Sequence, residues 1–291
     1  MTNKKGKLDF LLFVSPAIIA ITVAIYIPFI MSSLYSLTDW NGIAGSPKFI
    51  GLHNFISIFK GDLDFKNSSI FTVKYSVLYI LLVNLFSLAI AIILDKNLKF
   101  SKSLRVVFFI PYVFSLIVVG FIWKFIFSGG FQSLHNFTQL EVFEWSWLGE
   151  PNLAFISIVI VSIWQSIGFY IVLYIAGLQG VPKDLLEAST IDGASYTQSL
   201  FRVTLPLLAP AITTCTFYAL INSIKVFDVI LSLTQGGPGG STYSVTMDIY
   251  REAFQNNNYG YGTAKSIILF LAILIITVVQ LKFFKSREIE S

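Results

Sequence analysis

Charge is scarce in this chain. Only 12% of its 291 residues are Asp, Glu, Lys or Arg, against about 25% in soluble domains. Hydrophobic residues make up 55% and the mean hydropathy is +0.75, which excludes an ordinary water-soluble domain. The net charge of +4 is no nucleic-acid footprint, because the placement of the charges carries more than their sum. A single cysteine, Cys215, lies in an apolar segment; it excludes an internal disulfide and reads as a small buried thiol. With only His53 and His135 beside it, no His/Cys metal constellation can be built. No Gly-x4-Gly-Lys-Ser/Thr motif occurs, so the chain is not expected to hydrolyse ATP. The stretch Gly236 to Thr242 is glycine-rich but lacks that lysine and reads as a turn rather than a phosphate cradle. No Ser-His-Asp arrangement is supported. Internal repeats, low-complexity tails and a second soluble domain are not apparent.

What the chain has is long apolar runs, each near the roughly 20 residues a bilayer crossing needs. They predict six transmembrane helices, at about 11–34, 70–94, 106–127, 153–178, 207–233 and 264–284. The first follows Lys4, Lys5 and Lys7 but is too long, and lacks a clean small-residue cleavage site, for a signal peptide. Pro16 and Pro28 are candidate kinks there, as Pro111 is in the third. Residues 52–59 look amphipathic and suit a surface position, and Trp145 and Trp147 suit a membrane interface. Six spans put both termini on one side. That side holds Lys4, Lys5, Lys7, Lys96, Lys99, Lys102, Arg105, Lys183, Arg202, Lys282, Lys285 and Arg287. The other holds Lys48, Lys60, Lys66 and Arg251, with Lys74, Lys124 and Lys265 near span ends. The excess of Lys and Arg predicts that the termini are cytoplasmic.

One polar insert between spans, Val181 to Pro210, carries strong helix signals. Pro182 and Asp184 suit a helix's first turn, Gly193 offers a hinge or C-cap, and Ser195 with Gln198 reads as a capping box. Pro206 and Pro210 close the insert. The pattern predicts a helix–turn–helix on the cytoplasmic side, tied at both ends to spans. Within it, Glu187-Ala188-Ser189, Asp192-Gly193-Ala194, Val203 and Leu205-Pro206 resemble the cytoplasmic "EAA" loop of binding-protein-dependent ABC importer permeases, of the maltose-type, carbohydrate-importing branch. Ser189 departs from it, standing where many members have alanine. Leu233 to Pro238 resembles a second signature of the same family.

Polar residues inside spans are the other clue, because hydrocarbon penalises them unless they face a cavity or a protein neighbour. Tyr112 and Ser115 flank the Pro111 irregularity, Gln165 and Ser166 follow Trp164, and Asn222, Ser223, Lys225 and Asp228 lie in the fifth run. Such groups either line a shared polar pathway or bond across helices as structural glue. Lys225 and Asp228, at i and i+3, suit an ion pair on one helix face or a gate.

The resemblance implies an all-α integral membrane protein, one permease domain of six transmembrane helices with a cytoplasmic helix-turn-helix coupling loop at 181–206. It implies a non-catalytic subunit that passes a carbohydrate, delivered by an extracellular sugar-binding protein, into the cytoplasm. Its partners would be a second homologous permease, two ATP-binding cassette subunits and membrane lipid, with no nucleic acid. ATP and Mg would sit on those partner subunits, with no cofactor in this chain and no metal site. The location implied is a bacterial or archaeal plasma membrane. By the same resemblance Tyr112, Ser115, Gln165, Ser166, Asn222, Ser223 and Val226 lie at or near the sugar pathway. Glu187, Ala188, Asp192, Gly193, Ala194 and Pro206 couple to the ATPase. A glycerol phosphate or polyol substrate in the same branch, or a secondary sugar transporter, is the competing expectation.

Overall fold

The structure, a computed structural model, describes residues 4–43, 45–96 and 100–285. Lys99 and Arg287, both counted on the cytoplasmic side above, lie outside the described residues. In chain order the helices are α1 (Phe10–Tyr35), α2 (His53–Gly61), α3 (Leu63–Asp95), α4 (Ser101–Val113), α5 (Leu116–Thr138), α6 (Pro151–Gln179), α7 (Lys183–Ile191), α8 (Tyr196–Leu207), α9 (Ala209–Ile224), α10 (Asp228–Leu233), α11 (Val245–Tyr250) and α12 (Tyr259–Lys285). Among the described residues extended pairing is confined to one isolated bridge, Thr38 with Phe49. Helices α1, α3, α5, α6 and α12 are long and apolar enough to cross a membrane, and α8 with α9 makes a sixth if the bent pair is one span.

Two of the expected spans are not continuous helices. The third is broken between α4 and α5: Pro111 cannot donate to the preceding turn, and three residues later the backbone turns extended at Phe114 and Ser115, with ψ of 144° and 135°. The fifth is broken twice. A bend of 65° separates α8 from α9 at Leu208, just ahead of Pro210. A second break, at Lys225–Phe227, separates α9 from α10. In α1 the sequence placed kinks at Pro16 and Pro28; the structure has a π turn over Thr22–Tyr26, immediately before Pro28, which accommodates the donor that proline lacks.

The chain forms two compact units. The first comprises Met1–Phe65 and Ile249–Leu271. Its loop is fixed by Asn54, whose amide donates to the Ser36 and Thr38 carbonyls at 2.9 Å each. Trp40 stacks on Tyr35 and meets Tyr259 edge-on. A Cβ at Gly260 would strike the Thr38 carbonyl oxygen, so the loop lies directly on the backbone there.

The same unit contains a fully buried cation, Lys265. Its ammonium lies 2.9 Å from Asp62 and 3.7 Å from Glu252. Asp62 also accepts from the Tyr261 hydroxyl at 2.9 Å and the Phe65 N–H at 2.8 Å. Glu252 accepts from Asn258 at 2.8 Å. Burial alone would raise the Asp62 carboxyl, but the Phe65 N–H, Lys265 and Tyr261 outweigh it and hold it below its ordinary value.

The second unit, Lys66–Asp248 with Ala272–Ser291, is built around α6, of which 61% of the most apolar stretch is buried. Helices α4, α5, α9 and α10 all pack on it. Close approach needs small residues. A Cβ at Gly168 would strike the Phe108 carbonyl of α4, and one at Gly177 would strike Ala211 of α9.

Lys265→Ala leaves two half-buried carboxylates without their cation, and the expected loss is about 3 kcal/mol, the lower end for a broken buried pair, read as a lower Tm of the purified protein in detergent. Acid should act on the same cluster. Because the folded Asp62 value is depressed, its contribution is complete above the unfolded carboxyl value, about pH 4, and is lost as the pH falls through the folded one. A melting curve indifferent to acid in the wild type, and unchanged in the variant, would contradict this account.

Candidate functional site: a central cavity between broken helices

A cavity of about 440 Å³ opens in the second unit, midway along α6. The α4–α5 break and the α9–α10 break both reach its wall, through Ser115 and Leu116 and through Lys225 to Asp228. A broken helix in a membrane frees carbonyls that no water will satisfy, so neighbouring side chains must supply donors. The structure shows those donors. Gln165 Nε2, on α6, donates to the Tyr112 and Phe114 carbonyls, 3.3 Å each. Ser244 Oγ, buried ahead of α11, donates to the Val226 carbonyl at 2.6 Å and accepts from the Met247 N–H at 3.1 Å. The Val245 N–H in turn donates to Thr72 Oγ1 of α3 at 2.9 Å.

The rest of the wall is aromatic and neutral. Tyr75 and Tyr79 of α3, Tyr112 of α4, Tyr170 of α6 and Tyr218 of α9 all line it. Their hydroxyls partner one another or a serine: Tyr79 with Ser166 at 2.8 Å, Tyr112 with Tyr218 at 3.2 Å. Tyr112 also stacks on Phe169, with ring centroids 4.9 Å apart.

Of the residues the sequence assigned to a pathway, Tyr112, Ser115, Gln165, Ser166, Asn222 and Val226 come together on this wall. Ser223 does not. It is 1% exposed and its hydroxyl donates to the Leu220 carbonyl at 3.0 Å. Lys225 and Asp228 are on the wall, both exposed. They do not share a helix face, because Lys225 caps the end of α9 and Asp228 starts α10, and no ion pair joins them among the described residues. Sequence reasoning missed Tyr75, Tyr79, Ser162, Tyr170 and Tyr218. The signal for Tyr75, Tyr79 and Tyr170 was the i, i+4 repeat of tyrosine, 75/79 and 170/174, in runs that otherwise read as plain apolar core; Ser162 and Tyr218 stand outside such a repeat.

The polar insert is a rigid hairpin. Helix α7 ends in Gly193 at φ +77°, with the Ala194 N–H on the Ser189 carbonyl and the Gly193 N–H on the Thr190 carbonyl, 3.0 and 3.1 Å. That is the paired bonding of a Schellman cap, with glycine at the left-handed position. Ser195 and Gln198 make the reciprocal capping box, through bonds of 2.8 and 3.4 Å. Ser189, the departure from alanine, is 8% exposed and bonds Ser199 at 2.9 Å, tying α7 to α8. Glu187, Ala188, Asp192 and Gly193 are exposed, Ala194 is half-buried and Pro206 is exposed ahead of the bend. Ile191 is 85% and Phe201 63% exposed, two open apolar side chains on a charged hairpin.

Residues 84–287, which include α4 to α11 and most of the cavity wall, match the family described as binding-protein-dependent transport system inner membrane component. The chain belongs to this family. It is therefore a non-catalytic membrane permease subunit of an ABC importer. It is 40% identical over 286 residues to the probable starch degradation products transport system permease protein AmyD of Thermoanaerobacterium thermosulfurigenes, covering 98% of this chain and 97% of that one. It is 34% identical over 267 residues to the multiple sugar-binding transport system permease protein MsmF of Streptococcus mutans, covering 92% of each. In fold the permease is similar, at a TM-score of 0.83 and 22% identity, to a chain of a bacterial ABC transporter involved in the import of the acidic polysaccharide alginate, covering 97% of this chain and 98% of that one.

Gln165→Leu removes the donor that serves two freed carbonyls. The expected cost is about 1–3 kcal/mol, measured as a lower Tm in detergent, with Gln165→Asn no better because the shorter amide falls short of α4. A melt unchanged by Leu would show that the α4–α5 break is satisfied another way.

Proposed function

We propose that the permease passes a neutral oligosaccharide through the central cavity into the cytoplasm. The observation that carries this is the wall chemistry: five tyrosines with serine, glutamine and asparagine, and one cation matched by one anion, Lys225 and Asp228. Sugar rings offer apolar faces to aromatic rings and hydroxyls to neutral hydrogen-bonding groups. A phosphate ester needs a surplus of fixed cations, which this wall lacks, so the glycerol phosphate reading is set aside. The relatives whose names speak of starch degradation products and of multiple sugars support the same class.

In this reading an extracellular binding protein delivers the sugar, a second permease completes the pathway, and two ATPase subunits, carrying ATP and Mg, drive the cycle from the cytoplasm. The hairpin of α7 and α8 docks on an ATPase subunit through Glu187, Ala188, Asp192 and the exposed Ile191 and Phe201. Both termini are cytoplasmic, in a plasma membrane with the hairpin on the same side. ATP binding moves the hairpin, the bend at Leu208 passes that motion to α9, and the cavity wall at Asn222 to Asp228 moves with it. The energy comes from contacts that differ between the two states of the ATPases.

Two substitutions separate pathway from coupling. In the assembled importer, Tyr112→Ala together with Asn222→Ala should cut uptake of labelled maltotriose by about tenfold or more, the scale of losing one or two good contacts, with ATPase activity retained. Gly193→Pro cannot take a φ of +77° and removes the N–H that closes the cap. It should leave the protein inserted while uptake is lost. Wild-type uptake by either variant would overturn the corresponding assignment.

A further inference from the structure

A second concavity, about 570 Å³, lies between the C-terminal half of α5 and the segment 143–149 that leads into α6. It belongs to the opposite end of α6 from the α7–α8 hairpin, a helix of 29 residues, about 44 Å long at 1.5 Å per residue. It shares no lining residue with the central cavity.

The floor is a fixed aromatic stack. Trp147 lies on Phe127 with centroids 5.4 Å apart and planes 18° from parallel, and Phe131 meets it edge-on at 5.6 Å. The Trp147 indole N–H donates to the Val142 carbonyl at 2.8 Å, so the ring cannot turn. Trp145 stands beside Trp147 at 6.2 Å, tilted by 31°; it is 51% exposed and lines the concavity. Around it stand Gln132, Asn136, Glu144 and Ser146, all exposed. The side chains of Gln132, Asn136 and Ser146 make no hydrogen bond within the described residues. His135 Nδ1 donates to the Leu140 carbonyl at 3.1 Å, since a carbonyl only accepts. Its Nε2 then faces Glu144 Oε2 at 3.9 Å, a gap wide enough for a bridging hydroxyl.

A tryptophan anchoring the protein in the headgroup layer explains Trp145 by itself. It does not explain why amide, carboxylate and hydroxyl groups with spare capacity share one concavity with an open indole. That combination, a rigid aromatic platform rimmed by neutral donors and acceptors with a single carboxylate, is the chemistry of pyranose recognition, and the volume is that of a small-molecule site. We propose that this concavity is a second carbohydrate subsite, which stacks a sugar ring on Trp145 and bonds its hydroxyls through Gln132, Asn136, Glu144 and Ser146. It rests on the import reading for its side of the membrane, and it would hold an oligosaccharide at the entrance before the central cavity takes it.

The test uses the full-length permease in nanodiscs, titrated with maltotriose, cellotriose, mannotriose and galactotriose by calorimetry. At least one should bind the wild type. Trp145→Ala should weaken that binding about tenfold, the scale of an aromatic anchor, with Trp145→Tyr restoring most of it and Asn136→Ala losing part. Tyr112→Ala should leave the Trp145-dependent binding in place, which separates this subsite from the central cavity. Both Trp145 and Asn136 are exposed, so these variants should fold, and a melting curve checks that. No binding to the wild type by any of the trisaccharides overturns the subsite, even where the assembled importer still takes up sugar. So does unchanged binding in Trp145→Ala and Asn136→Ala. If Trp145→Ala keeps the sugar but loses stimulation of the ATPase by the binding protein, the concavity is a protein-docking patch instead. A wild-type importer that takes up no sugar fails the import reading alone, because the nanodisc titration does not depend on uptake.

Discussion

The structure depends on one constraint: a helix that breaks inside hydrocarbon must have its freed backbone groups satisfied by protein. The permease breaks two helices beside its central cavity and meets the constraint in two ways. On one side the amide of Gln165 reaches from α6 to two carbonyls at the end of α4. On the other, Ser244 takes the Val226 carbonyl and caps α11 with the same oxygen. Gln165 thus serves structure and cavity at once. The choice between structural glue and pathway, which the sequence leaves open, does not divide the residues cleanly. The bonds that act as glue also hold open the breaks that line the cavity.

The same reasoning explains why α6 is the most buried span. A helix that donates to a broken neighbour has to lie close to it, and Gly168 under the Phe108 carbonyl allows that approach. The hairpin beyond α6 is stiff for local reasons: a Schellman cap at Gly193, a capping box at Ser195 and a serine pair between α7 and α8. A stiff hairpin joined to α9 through one bend is suited to carry displacement rather than absorb it. Ser189 gains meaning here. Alanine at that position would pack, but the hydroxyl also ties the two short helices together.

Much of this was legible where the determinants are local. The capping box and the glycine cap are set by residues within a few positions of one another, and the structure shows both. The breaks were harder. Pro111 marked the first only roughly, since the extended backbone comes at Phe114 and Ser115. Nothing between Lys225 and Phe227 announces the second: no proline or glycine stands there, and the break is held by Ser244 from 18 residues away. The i, i+3 reading of Lys225 and Asp228 assumed a continuous helix and failed with it. Ser223 was placed near the pathway by the family resemblance and its polarity, but a serine hydroxyl in a helix can turn back to its own backbone, and this one does. The tyrosines were missed for the opposite reason. In an apolar run an aromatic residue reads as packing, and only three-dimensional convergence shows Tyr79, Tyr170 and Tyr218 meeting around one space.

Under the proposed function, that convergence bears on how a transport site differs from a storage site. A conducting or translocating site must bind well enough to admit its cargo and weakly enough to release it. The polar groups on the cavity wall already have partners within the protein: Tyr79 has Ser166, Tyr112 has Tyr218, and Gln165 has the α4 carbonyls. A sugar entering such a site exchanges existing hydrogen bonds rather than satisfying orphaned ones, so the net gain per bond is small, about 0.5–1.5 kcal/mol. The tyrosine rings add contact without adding fixed charge. On that reading a wall of pre-paired hydroxyls lets the cargo in without a deep energy well, and leaves direction to the proposed ATPase partners.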